Sequence, residues 1–343
     1  MAQASTKPRR GRLAPQQYID GILRGDRVVL ARAITVIESE LPADVDLGVA
    51  ILDAVLPYAG KARRVGITGV PGAGKSTFID TLGIHLIRDR GEKVAVLSVD
   101  PSSPISGGSI LGDKTRMERL AVEERAFIRP SPARGHLGGV SRRTRETMLL
   151  CEAAGYDNVL VETVGVGQSE TAVRSMTDFF LLLMISGAGD ELQGIKRGIL
   201  EMIDGMAINK ADGDNEPRAE RTRVEYASAL HLFPASGDGW TPRVMAISSI
   251  SGRNVPELWQ MILDHRAHLE ANGCFGQRRA RQALQWMRES IGMGLEDLFR
   301  RDTRVASRIA ELERAVASGR TTPSAAAREL LSTFTSTFSE KES

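Results

Sequence analysis

The stretch that decides the fold is Arg64-Val-Gly-Ile-Thr68, which continues directly as Gly69-Val-Pro-Gly-Ala-Gly74-Lys75-Ser76-Thr77. A short apolar run followed by GxxxxGK[ST] and a helical pattern is typical of a phosphate-binding loop between a strand and a helix. In such a loop, backbone N–H groups surround phosphate oxygens and the helix start adds its positive end. The predicted nucleotide-binding residues of this loop are Gly69, Pro71, Gly72, Ala73, Gly74, Lys75, Ser76 and Thr77.

Two side chains of this loop have predicted roles of their own. Lys75 places a compact positive charge near the β- and γ-phosphates, so we expect it to act in catalysis. The Ser76 hydroxyl is an oxygen ligand of the kind that Mg²⁺ prefers. The loop therefore predicts a magnesium–nucleotide complex.

Outward from the loop, strand-like and helix-like segments alternate. Several strand candidates are continuous apolar runs, as expected for parallel strands buried on both faces. This alternation predicts an α/β fold of the P-loop NTPase kind, with a doubly wound and mostly parallel sheet. The strand candidates are Arg64–Thr68, Val94–Val99, Asn158–Glu162, Phe179–Ile185, Gly205–Ile208 and Val244–Ile247.

A second nucleotide motif, Asn209-Lys210-Ala211-Asp212, follows one of these strands. An ionised Asp212 can accept two hydrogen bonds from guanine, whereas adenine would leave the carboxylate unpaired. The Lys210 stem can cover the base while its ammonium stays in water. Ser248, Ser249 and Ile250 follow the next strand and are predicted to contact the guanine O6 through their backbone.

Carboxylates at the ends of two other strands predict the rest of the metal site. Asp100 and Glu162 should lie at the carboxyl edge of the sheet, near the phosphates, and we assign both to metal binding and catalysis. Asp113 lies in a long segment rich in Gly, Ser, Pro and Arg, from Pro101 to Arg145. It could complete the metal shell, or it could be a solvated loop acid.

Three segments have the composition of nucleotide-dependent switches. The first contains Asp113 and Arg116, and the second is Glu162-Thr-Val-Gly165, which resembles the DxxG element that senses the γ-phosphate. The third runs from Ser186 to Lys196, and in it Asp190 and Lys196 could exchange partners between states; Gln193 belongs to the same segment. On spacing alone, this third segment could equally be a loop with ordinary helix caps.

Three regions are expected along the chain: a helical extension at 1–60, the nucleotide-binding domain at 61–271 and a helical arm at 272–343. An amphipathic helix is predicted from Pro15 to about Glu40, and Asp46 is expected to cap a second helix. Three helices are predicted in the arm, which we expect to pack on a second copy of the chain; it could also fold back on its own domain. The predicted arm helices are Gln277–Glu289, Leu295–Ser318 and Ser324–Phe334.

Composition excludes several other classes of protein. The net charge of +2 over 343 residues offers no electrostatic basis for binding nucleic acid. Two cysteines give no disulfide framework, and no apolar run is long enough for a signal or a membrane span, so we expect a cytoplasmic protein without a membrane partner.

His265 and His268 share a helix face that is expected to be solvated. The cluster of Arg142, Arg143 and Arg145 is expected to be a solvated helix face or a partner contact and not a nucleic-acid patch.

The motifs together resemble the MeaB/MMAA/ArgK group of GTPases, which are associated with methylmalonyl-CoA mutase and belong to the SIMIBI class of P-loop proteins. The resemblance is carried by GVPGAGKST, LSVDPSSP, GGSILGDKTRM, VETVGVGQSE and NKAD, and it extends from about Tyr18 to the C-terminal helices. It is greatest to bacterial MeaB.

This resemblance implies a homodimer formed by the C-terminal arm. It also implies a chaperone whose GTP binding and hydrolysis gate delivery of adenosylcobalamin to the mutase and protect the mutase. Cobalamin would be the partner's cofactor, while this chain would bind GTP or GDP with Mg²⁺. The third switch segment looks like an additional family switch that responds to the partner, with Lys196 acting in catalysis.

Two other functions remain open. One is a P-loop kinase or ATPase of the ArgK type, acting on a protein or small molecule; the NKAD motif argues against it because such kinases generally use ATP. The other is a nickel-handling relative, against which the sequence offers no Cys/His cluster.

Overall fold

We describe a computed structural model of the chain, comprising residues 12–99, 117–130, 137–163, 169–187, 197–233 and 237–339. Its centre is a single sheet of seven strands in the order β3-β2-β4-β1-β5-β6-β7, in which every strand pair is parallel. The strands are β1 (Arg63–Gly69), β2 (Val94–Val99), β3 (Ala126–Arg129), β4 (Asn158–Thr163), β5 (Phe179–Ile185), β6 (Gly205–Asn209) and β7 (Arg243–Ala246).

Helices connect and flank these strands, which confirms the predicted α/β class and doubly wound P-loop fold. The α-helices of the described residues are α1 (Pro15–Leu23), α2 (Arg27–Ile37), α3 (Pro42–Val55), α4 (Lys75–Arg88), α5 (Glu118–Ala121), α6 (Leu137–Ala153), α7 (Ser169–Arg174), α8 (Arg197–Leu200), α9 (Glu216–Leu230), α10 (Val255–Ala271), α11 (Cys274–Arg301), α12 (Thr303–Ala317) and α13 (Pro323–Ser339). No helix within the described ranges combines the length and hydropathy required to cross a membrane.

The central strands are largely buried because helices cover both faces of the sheet. All residues of β2 and β4 are buried, and β1 pairs with β4 on one side and β5 on the other. Gly66 in β1 leaves room for the helix layer, since a Cβ there would lie 2.7 Å from Val173 of α7. The carboxyl ends of the buried strands consequently meet at one edge of the sheet, where the predicted motifs begin.

At the N-terminus, the single predicted helix from Pro15 to Glu40 is wrong. The chain forms α1 and α2 instead, because Gly25 takes a positive φ of 74° and Asp26 caps α2 by accepting hydrogen bonds from the N–H groups of Val28 and Val29. The predicted cap at Asp46 is also wrong: α3 begins four residues earlier, with Pro42 at its first position. These helices pack on α6.

The C-terminal helix boundaries also differ from the prediction. The predicted break after Glu289 does not occur, since α11 continues through Gly292 and Gly294 to Arg301. A helical glycine costs about 1 kcal/mol relative to Ala, which weakens a helix without ending it. The actual break is at Asp302, whose carboxylate accepts hydrogen bonds from the backbone of α12.

Strand β3 was missing from the sequence prediction. It has only four residues, lies at the edge of the sheet and falls inside the segment that was expected to be irregular. An edge strand this short carries too few residues to show a pattern. The irregular segment therefore contains regular structure, since α5, β3 and the start of α6 all lie within it.

The expected solvation of His265 and of the arginine cluster is wrong in part. His265 is 1% exposed and lies between Trp240 and Phe179, with both rings edge-on at about 5 Å. Arg145 is buried, while Arg142 pairs with Glu146 of its own helix. Polar residues on a helix can therefore be buried when other elements pack against that face of the helix.

The chain divides into two compact units, Met1–Gln282 and Ala283–Ser343. The first contains the sheet and its hydrophobic core. In the second, α12 and α13 pack together and Val305 of α12 is fully buried. Phe299 of α11 and Phe334 of α13 are in edge-to-face contact, with ring centroids 5.5 Å apart.

A buried carboxylate organises the amino edge of the sheet in the first unit. Asp204, just before β6, accepts two hydrogen bonds from the Arg174 guanidinium, at 2.6 and 3.0 Å, and one from the Phe180 N–H at 2.9 Å. His265 and Arg278 lie 3.5 Å from the same carboxylate. Burial alone would raise the pKa of Asp204, but Arg174 together with His265 and Arg278 outweighs it and holds the pKa below its usual range.

We predict that Asp204→Ala lowers the free energy of unfolding by about 3–5 kcal/mol, because it leaves the mostly buried Arg174 guanidinium without the carboxylate to which it is hydrogen-bonded. Asp264→Ala is the matched control, since Asp264 pairs with Arg243 at a largely exposed site and should cost less than about 1 kcal/mol. Urea unfolding of both variants measures the difference. Equal losses would contradict the role given to Asp204.

Candidate functional site

The phosphate-loop sequence connects β1 to α4 at the carboxyl edge of the sheet. Two of its glycines are required by contacts with neighbouring strands. A Cβ on Gly69 would lie 2.1 Å from the Leu183 carbonyl oxygen. Gly74 has a φ of 85°, and a Cβ there would lie 2.7 Å from the side-chain nitrogen of Asn209. The loop can therefore approach β5 and β6 only because these positions have no side chain.

Lys75 is the first residue of α4 and folds back over the loop. Its Nζ donates hydrogen bonds to the carbonyl oxygens of Gly69, at 2.8 Å, and Val70, at 3.4 Å. Burial lowers the pKa of the Lys75 ammonium below its usual value, although the carboxylates of Glu162 and Glu170 oppose this shift. The ammonium is thus held where phosphate oxygens could replace its carbonyl partners.

Ser76 and Glu162, which are both predicted metal ligands, lie side by side in the structure. The Ser76 hydroxyl donates to the Glu162 carboxylate over 3.2 Å, and Glu162 is buried near the end of β4. A hydroxyl and a carboxylate are hard oxygen donors, which is the donor set that suits Mg²⁺. These two residues fit a magnesium ion bound beside the phosphate loop.

Asn209, at the end of β6, connects the phosphate loop to the loop after β7. Its side-chain N–H donates to the Ala73 carbonyl at 2.7 Å. Its side-chain oxygen accepts hydrogen bonds from the Ser249 N–H at 3.0 Å and from the Ser249 hydroxyl at 2.8 Å. One buried amide therefore contacts both of the predicted nucleotide-binding loops.

The remaining residues of the NKAD motif lie beside this amide. Lys210 is exposed and has a positive φ of 62°, and its carbonyl accepts a hydrogen bond from Asn215 at 2.6 Å. The Ser248 hydroxyl donates to the Asp212 carboxylate at 2.5 Å. Ile250 is 78% exposed at the tip of the following loop. Asp212 and the loop after β7 thus form one hydrogen-bonded surface at the edge of the sheet.

Two residues of this region escaped sequence reasoning. The Asn215 side chain donates a hydrogen bond to the Lys210 carbonyl. It also accepts one from Ser186, the first residue of the third predicted switch segment. Glu170, on α7, is buried and acts electrostatically on Lys75. The sequence offers one indication of a role for these two residues, which is that each lies shortly after a nucleotide motif. Asn215 follows NKAD, and Glu170 follows the ETVG element.

Part of the predicted site lies outside the described residues. These residues are Asp100, Asp113, Arg116, Gly165, Asp190, Gln193 and Lys196.

The described arrangement has the chemistry of a nucleotide site. It combines a glycine loop at a helix start, a buried cation and an acidic residue beside a hydroxyl, all at the carboxyl edge of a parallel sheet. A second carboxylate, Asp212, lies beside the loop after β7, where a base could be hydrogen-bonded.

Comparisons with known proteins agree with this geometry. The family model described as methylmalonyl Co-A mutase-associated GTPase MeaB matches residues 30–304. GTPase ArgK of Escherichia coli is 54% identical over 80% of this chain and 82% of its own length. The mitochondrial methylmalonic aciduria type A homolog of Mus musculus is 43% identical over 94% of this chain and 80% of its own length.

A solved structure is similar over nearly the whole chain. The crystal structure described as LAO/AO transport system kinase superposes with a TM-score of 0.71 at 40% identity, covering 93% of this chain and 96% of that one. With the family match, the P-loop fold and the paired phosphate and NKAD motifs, this confirms the resemblance seen in the sequence: the chain belongs to the MeaB family of GTPases.

Proposed function

We propose that the protein binds and hydrolyses GTP as a chaperone of an adenosylcobalamin-dependent methylmalonyl-CoA mutase, gating cofactor delivery and protecting the mutase. The observation that carries the nucleotide part is the Asn209 side chain, which contacts both Ala73 in the phosphate loop and Ser249 in the loop after β7. This contact sets the two loops at a fixed separation, as one bound nucleotide requires. The mutase partner is inferred from the family and from the relatives' names.

Guanine is the base that fits the second loop. The Asp212 carboxylate can accept hydrogen bonds from N1–H and the 2-amino group of guanine, with the Ser248 hydroxyl holding it in place. The Lys210 stem would cover one face of the ring. Adenine presents an acceptor at N1 and no 2-amino group, so it would leave a carboxylate without partners.

Hydrolysis would proceed by in-line attack of water on the γ-phosphate. Ser76 and Glu162, joined by Asp100 and Asp113, would hold Mg²⁺, which neutralises charge on the β- and γ-phosphate oxygens when bound. Lys75 would exchange the Gly69 and Val70 carbonyls for phosphate oxygens and so stabilise the charge that develops on them. We assign no side chain to positioning of the water, which is consistent with slow turnover by the isolated protein.

We predict that Asp212→Asn weakens GDP binding by about 100-fold or more, because two hydrogen bonds to a charged group are lost. The same change should strengthen binding of xanthosine diphosphate, whose 2-oxo group can accept a hydrogen bond from the new amide. Calorimetric titration with both nucleotides measures this exchange. Asp214→Asn, two residues away and exposed, is the control and should leave both affinities unchanged; unchanged GDP affinity in Asp212→Asn would contradict guanine recognition.

We predict that GTP hydrolysis is slow for the protein alone and rises on the order of tenfold or more when the purified mutase is added, as expected for a partner that completes the site. Lys196→Ala should keep nucleotide affinity but lose most of this stimulation. Steady-state phosphate release, with Lys61→Ala as the control, measures both effects. Fast turnover without the mutase, or no response to it, would contradict the proposed role.

A second candidate function is a kinase or ATPase of the ArgK type. It is favoured by one observation, the similarity to a crystal structure described as a transport system kinase. Asp212 separates the two functions, because its carboxylate suits guanine and not adenine. Binding of ATP as tight as that of GTP would favour the kinase.

We also propose that the C-terminal unit forms a homodimer. One face of α11 carries five apolar side chains at helical spacing, and each of them is more than half exposed; they are Leu284, Met287, Ile291, Leu295 and Leu298. A stripe of this length on one helix fits the same stripe of a second copy, which would bury both. The family resemblance supports the same assembly.

We predict that Ile291→Asp shifts the protein from dimer to monomer, because it places a charge in the centre of this stripe. Light scattering after size-exclusion chromatography measures the mass. Val224→Asp, at a similarly exposed position on α9, is the matched control and should stay dimeric. A monomeric wild-type protein, or a dimeric Ile291→Asp variant, would contradict the proposed interface.

A further inference from the structure

Thr81, in the middle of α4, contacts the loop after β7 through a side chain that no nucleotide motif includes. Its hydroxyl donates a hydrogen bond to the Ser249 carbonyl oxygen at 2.6 Å. The loop passes directly over this residue, since a Cβ on Gly252 would lie 3.9 Å from the Thr81 methyl group. The phosphate-loop helix and the predicted base loop are therefore joined at a second point besides Asn209.

The Thr81 hydroxyl also accepts a hydrogen bond from Arg119. The Arg119 guanidinium donates to the Thr81 hydroxyl oxygen at 2.7 Å. Since a carbonyl oxygen can only accept and a guanidinium can only donate, the hydroxyl accepts from Arg119 and gives its proton to the Ser249 carbonyl. A hydroxyl that accepts from a charged donor is also polarised, which strengthens the bond it donates.

Arg119 is in turn held by a buried carboxylate. Its Nε donates to Asp80 at 2.7 Å, and the other oxygen of Asp80 accepts the Leu120 N–H at 2.8 Å. Asp80 is 6% exposed and belongs to α4, next to Thr81. The donor chain from Arg119 through Thr81 to Ser249 therefore starts from a rigid attachment.

Fixing the Ser249 carbonyl also fixes the following N–H. In a trans peptide unit, C=O and N–H lie in one plane and point in opposite directions. With the Ser249 oxygen directed at Thr81 on α4, the Ile250 N–H points away from α4. The Ser249 N–H and hydroxyl are already directed at Asn209, so this residue is held on two sides.

We propose that Thr81 is a positioning residue for guanine specificity: it holds the peptide between Ser249 and Ile250 so that the Ile250 N–H is directed at the O6 atom of the base. This inference rests on the proposed GTP function and assigns part of its base selectivity to a residue of the phosphate-loop helix. Thr81 itself does not touch the nucleotide. Its effect should therefore appear only with bases that carry a 6-oxo group.

The test compares GTP with 6-thioguanosine triphosphate, which keeps N1–H and the 2-amino group but carries sulfur, a weak hydrogen-bond acceptor, in place of O6. Thr81→Val preserves the shape of the side chain and removes the hydroxyl. We expect it to weaken GTP binding by about tenfold while weakening binding of the analogue much less. Thr81→Ser, which keeps the hydroxyl, should restore the wild-type ratio of the two affinities. Arg119→Gln should also reduce the preference for GTP over the analogue, by a smaller factor than Thr81→Val. It provides a second test if Thr81→Val does not fold.

The outcomes separate this inference from the function on which it rests. An unchanged affinity ratio in Thr81→Val, or equal weakening of both nucleotides, would overturn the positioning role while leaving guanine recognition intact. A wild-type protein that binds ATP as tightly as GTP would overturn the proposed function itself. Loss of selectivity in Thr81→Val with recovery in Thr81→Ser would support the inference.

Discussion

The site depends most on the side-chain amide of Asn209. It donates to the carbonyl of Ala73 and accepts from two groups of Ser249, so both ends of one amide are used in a buried position. The loops it joins follow β1 and β7, which are separated in the sheet by β5 and β6. A short, fully satisfied polar connection of this kind keeps the two loops in register, whereas an apolar side chain would leave several buried groups unpaired.

Glycine makes this connection possible. At Gly74 a side chain would occupy the place of the Asn209 nitrogen, and at Gly69 it would occupy that of the Leu183 carbonyl. The sequence of the loop is therefore constrained by the neighbouring strands as well as by the phosphate binding that we propose for it. The same two glycines serve both the phosphate-loop motif and the close packing of the loop against β5 and β6.

Much of the fold followed from the sequence because its strongest signals are local. Buried parallel strands appear as apolar runs, and the phosphate loop and NKAD motif place their ends at one edge of the sheet. The parts that were missed have two causes. The cap at Asp26 and the break at Asp302 are local, but each depends on a single side chain, which is a weak signal within a helical pattern. Other features depend on contacts distant in sequence, and β3 is recognisable only from its pairing with β2. Burial of His265 depends on Trp240 and Phe179, which its own helix does not reveal.

The position of Asp204 has a further consequence for how the first unit responds to ionic strength. Mobile ions screen exposed charge pairs over about 8 Å at physiological salt but act much less on pairs that water does not reach. The Asp204 side chain is 4% exposed, whereas the Arg243–Asp264 pair is open to solvent. The attachment of Arg174 and Arg278 to the amino edge of the sheet should thus persist in concentrated salt, where the surface pairs of the same unit no longer contribute.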